Sequence, residues 1–63
     1  MTANEAITVT VVNLLGVTWQ ENLSAVDDEF KRRVNQIINN HGDIDLIYIP
    51  DAHGGVQKEI YSA

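Results

Sequence analysis

Apolar residues recur at three- and four-residue steps over one stretch of the chain: Leu23, Val26, Phe30, Val34, Ile37 and Ile38. At about 100° per residue they fall within an arc of roughly 120°, the stripe of a helix that buries one face. Asp28, Arg32, Asn35, Gln36 and Asn39 occupy the other side. The pattern predicts a helix from about Ser24 to Asn40, with Phe30 and Val34 central in the core. Ser24 with Asp27 approximates a capping box, and Thr18 with Glu21 is a second candidate start. Asp27, Asp28 and Glu29 oppose the positive end of the helix dipole. Gly42 is expected just past the helix end, in a left-handed conformation.

The rest of the chain alternates with a period of two. Ile7, Val9 and Val11 interleave with Thr8 and Thr10, which predicts a strand over Ala6 to Leu15. The alternation breaks at Val12, and a bulge near Val12-Asn13 accounts for the break. Gly16 to Asn22 is expected to connect this strand to the helix. Trp19, within it, is either a lid over one end of the core or an exposed anchor for a partner. Asp43 to Pro50 predicts a second strand, Asp51-Ala52-His53-Gly54-Gly55 a turn, and Val56 to Ser62 a third strand closing a hairpin. In the second strand Ile44, Leu46 and Tyr48 are expected to point one way, and Asp45, Ile47 and Ile49 the other. The order is β-α-β-β. The expected fold is α+β, a small three-stranded sheet with one amphipathic helix packed on one face. The chain reads as a single small domain over 1–63, with residues 1–5 expected to fray.

Length and composition limit what such a domain can do. Sixty-three residues bury a modest core, and the absence of cysteine removes both disulfides and cysteine-based metal sites. Self-association is the remaining source of buried area. No apolar run reaches the roughly 18–20 residues of a membrane span, and the polar, acidic Met1-Thr2-Ala3-Asn4-Glu5 lacks the basic start of a signal peptide. A soluble, cytoplasmic protein is expected. A net charge of −5 disfavours nucleic acid and anionic membrane as partners. Lys31-Arg32-Arg33 does not alter this, because each base has an acid four residues earlier: Asp27, Asp28 and Glu29. Such exposed pairs contribute about 0.3–0.5 kcal/mol each.

The candidate chemistry is sparse. There is no Gly-x-Ser-x-Gly, and Gly54-Gly55 precedes a strand, whereas a phosphate-binding loop leads into a helix. No catalytic residue, metal or cofactor is expected. The one ligand site the sequence suggests combines His41, at the end of the helix stripe, with Asp51 and His53 in the turn. The first strand, the acid-rich helix start, Asp43-Ile44-Asp45-Leu46-Ile47-Tyr48 and the closing Ile60-Tyr61-Ser62-Ala63 resemble short sporulation-associated proteins of spore-forming bacteria. That resemblance implies a small α+β protein without known catalytic residues.

Two functions fit these residues. The first is a small acidic homodimer that acts by protein–protein interaction, with Val12, Leu14, Ile47, Ile49 and Trp19 as candidate interface. One helix covers only one sheet face, and those apolar residues would otherwise be left in water. The second is a ligand- or metal-binding module using His41, Asp51 and His53.

Overall fold

The computed structural model describes residues 5–63. Strand β1 (Ala6–Asn13) is followed by β2 (Thr18–Ser24), helix α1 (Asp27–His41), β3 (Ile44–Pro50) and β4 (Val56–Ser62). All the strands join one antiparallel sheet in the order β2-β1-β3-β4. The fold is α+β with the helix on one sheet face, as expected, but the sheet has four strands and not three. Of the residues expected to fray, 1–4 lie outside the described residues. Glu5 is tied down, its carbonyl accepting the Ala25 N–H at 3.0 Å.

β1 is central because its sequence suits burial on both sides. Val9 and Val11 turn toward α1 and are fully buried. Thr10, on the opposite face, is also buried, between its register partners Gln20 and Tyr48. Leu23 from β2, Val34 and Ile37 from α1, and Ile44 and Ile47 from β3 complete the core. Ile7, Trp19, Phe30, Ile38, Ile49, Ile60 and Tyr61 pack around it.

The added strand is the segment expected to connect β1 to the helix. Thr18-Trp19-Gln20-Glu21-Asn22-Leu23-Ser24 alternates Trp19, Glu21 and Leu23 against polar residues, and it pairs with β1 along its whole length. An edge strand needs only one apolar face, so this weak alternation suffices. Neither predicted cap starts the helix. Thr18 opens β2, and Ser24 closes it while its Oγ accepts the Val26 N–H at 3.2 Å. α1 begins at Asp27, with Val26 at the cap position and no side-chain cap bond. Its C-terminus is as expected: Gly42 has φ 74° and donates its N–H to the Ile38 carbonyl.

A bulge explains a second difference. β1 pairs Val12 with Leu46 but Asn13 with Ile44, so Asp45 is the extra residue. The bulge resets the side-chain phase, and Ile44 and Ile47 both reach the core although three residues apart. Ile47 therefore has no exposed surface and cannot contribute to an interface on the uncovered face. Ile49, two residues further, also packs against the core. Phe30, expected at the centre, lies at the margin and is half-buried.

Burial rather than side-chain size should therefore set the cost of truncation. Ile47→Ala is expected to destabilise by about 2–5 kcal/mol, a large share of a small domain's stability. Phe30→Ala should cost less despite removing more atoms. Urea denaturation of the two variants checks the order, and the reverse ranking would contradict this assignment of the core.

Candidate functional site

The loop joining β1 to β2 is Leu14-Leu15-Gly16-Val17, and each of its backbone N–H groups is hydrogen-bonded. Asn13 Oδ1 accepts from Leu15 and Val17, both at 2.9 Å. Gly16 donates to the Asn13 carbonyl at 3.0 Å, and Leu14 to the Asp43 carbonyl at 2.8 Å. The Asn13 N–H closes the loop on the Val17 carbonyl. Gly16 supplies the positive φ, 84°, that this turn requires. On this fixed scaffold Leu14, Leu15 and Val17 stand in solvent, 65%, 85% and 55% exposed.

The β3–β4 loop is built the same way. Asp51 Oδ1 accepts from His53 and Gly55, both at 2.8 Å. Gly54 donates to the Asp51 carbonyl, and the Asp51 N–H bonds the Gly55 carbonyl. Gly54 also has φ 84°. Ala52, His53 and Gly55 thus stand where Leu14, Leu15 and Val17 do on an equivalent backbone. The turn itself does not require apolar residues at its tip.

The sheet face away from α1 is divided. By alternation, Val12, Leu46 and Tyr48 form a half-buried apolar strip next to the β1–β2 loop. The β1–β2 half of that face is polar, where Thr8 Oγ1 donates to Asn22 Oδ1 at 2.8 Å. On the helix side, Trp19 Nε1 donates to Glu21 Oε2 at 2.9 Å. The Trp19 ring lies 4.9 Å from that of His41, tilted by 45°. Trp19 is thus half-buried at the helix C-terminal end of the core.

No protein-family model, curated protein or solved structure matches this chain.

Of the expected interface residues, Val12 and Leu14 lie on the uncovered side or at its end, Trp19 at the β2 edge, Ile47 in the core and Ile49 half-buried against it. The suggested ligand set is not brought together. His41 precedes β3 and Asp51 and His53 follow it, so the length of that strand separates them, roughly 20 Å at about 3.3 Å per residue. Among the described residues, no three His, Asp or Glu side chains converge as a metal site would require. No helix among them is long and apolar enough to cross a membrane. An open groove of about 280 Å³ lies between α1 and β4, lined by Phe30, Val34, Ile38, Ile60 and Tyr61, with Lys31 and Asn35.

Sequence reading missed Leu15 and Val17 as exposed residues. The signal was present, since Asn13 and Asp51 each precede a glycine by three residues. The turn predicts its own sensitivity. Asn13→Ala removes both side-chain bonds and should cost about 1–2 kcal/mol. Amide hydrogen exchange at Leu15 and Val17 should accelerate, and unchanged protection there would show that Asn13 does not hold the loop.

Proposed function

We propose that this protein acts by binding another protein, works as a homodimer, and has no catalytic activity of its own. The observation that supports this reading is the contrast between its two hairpin loops. One backbone design is used twice, once with Ala52 and His53 and once with Leu14 and Leu15. Exposed leucines that the turn does not need cost solubility, and a contact surface is the use that offsets this. The hydrogen-bonded loop holds them in place before binding, which limits the entropy lost in a complex. The neighbouring strip of Val12, Leu46 and Tyr48 extends the same apolar surface. The −5 charge favours a protein partner with a basic rim around an apolar centre.

Homodimerisation is supported by the size of the core. Among the described residues, only Val9, Val11, Leu23, Val34, Ile37, Ile44 and Ile47 are buried apolar residues. A chain near 60 residues hides about 60% of the surface its unfolded form exposes, which leaves stability marginal.

The test uses the Leu14→Asp/Leu15→Asp variant. Neither side chain enters the core, so its circular dichroism and denaturation midpoint should match the parent. The parent, immobilised, should retain a protein from its own cells that the variant does not. That protein, once purified, should bind the variant roughly 30-fold more weakly, the loss of one apolar hot spot. Equal binding by parent and variant would contradict the assignment of the loop.

A further inference from the structure

Among the described residues the sheet has two free edges, and they are built differently. β4 is irregular. It pairs Tyr61 with Ile47 but Glu59 with Tyr48, and Lys58 with Ile49 but Val56 with Pro50. Ile60 and Gln57 are therefore extra residues, and two bulges bend an edge that also carries Lys58 and Glu59. Bulges and charges are the means by which sheet edges are kept from pairing. β2 has neither bulge nor charge run. Its register against β1 continues unbroken from Ala6↔Ser24 to Val12↔Thr18, and Glu21 is its one charged residue.

The outward backbone groups of β2 follow from the hydrogen bonds at its two ends. Asn13 bonds Val17, and Ala25 bonds Glu5. In an antiparallel ladder the bonded pairs recur every second residue. Residues 17, 19, 21, 23 and 25 thus turn their N–H and C=O groups to β1. Thr18, Gln20, Asn22 and Ser24 turn theirs to the free edge.

We infer that this edge pairs with the β2 edge of a second copy, antiparallel about a two-fold axis, to make one continuous sheet. The inference rests on the homodimer proposed above and names its contact. A two-fold axis at Gln20 sets Gln20 opposite Gln20 and Thr18 opposite Asn22, each pair exchanging two backbone hydrogen bonds. Trp19 then faces Glu21 of the second copy. The carboxylate that accepts the indole N–H within one chain is thus placed beside the other chain's indole as well, and the exposed part of Trp19 is covered. Centring on Glu21 would instead oppose two carboxylates, which disfavours that register. α1 lies against β3 as well as β2, so it does not sit over the free edge alone. Pairing through β2 leaves the Leu14-Leu15-Val17 tip of each copy free for the protein partner.

Two measurements test this. Gln20→Pro removes an outward N–H and no bond to β1, a substitution that a strand edge tolerates. In sedimentation equilibrium it should weaken dimerisation roughly 30-fold, because the two-fold axis removes the bond from both copies. In the unaltered protein at dimeric concentration, the amides of Thr18, Gln20 and Asn22 should be protected from hydrogen exchange, and dilution should release them. A dimer in which those amides exchange freely would overturn the β2 contact while leaving the homodimer standing. A monomer throughout would remove both.

Discussion

The structure depends on one contact, the apolar stripe of α1 lying against one face of the sheet. Val34 and Ile37 meet Val9, Val11, Leu23, Ile44 and Ile47, and no other buried apolar cluster holds the described residues together. With a single helix, the opposite face and the outer strand β4 remain uncovered. The groove beside Ile60 and Tyr61, the strip of Val12, Leu46 and Tyr48, and the free backbone of β2 all follow from that shortage. A chain with this little interior is where association contributes most to stability.

The two hairpins separate what folding requires from what it does not. Asn13 and Asp51 each close a loop through one side-chain oxygen, and Gly16 and Gly54 each supply the same left-handed backbone. Gly55 has an added constraint, because a Cβ there would come within 2.9 Å of the Asp51 carboxylate. These residues are fixed by local geometry. Leu14 and Leu15 are not, and their exposure is the clearest departure from what folding alone would place there.

Long or strongly patterned elements were legible in the sequence. The stripe through Phe30, Val34 and Ile37, the β-branched run of β1, Gly42 as the helix stop, and the β3–β4 hairpin all stand where their patterns placed them. β2 was not legible because its residues satisfy two descriptions. Thr18, Glu21, Ser24 and Asp27 carry helix-start chemistry, and Leu23 continues the helical stripe by spacing. Pairing with β1 decided between them, and pairing is non-local. The irregularity at Val12-Asn13 was legible as a break in alternation, but its extra residue, Asp45 on β3, which carried Ile47 into the core, was not. The apolar tip was half legible. Leu14 stood out as surplus, but the equivalence of the two loops became visible only through their hydrogen bonds.

The proposed homodimer, built on so small a core, should be stabilised by its own concentration. The most direct measurement is the melting temperature across a hundredfold range of protein concentration, read by calorimetry alongside the sedimented mass. The account predicts a midpoint that rises steadily with concentration and a mass that shifts toward twice 7.0 kDa. A midpoint independent of concentration, with the mass of a single chain at the highest concentration, would contradict it.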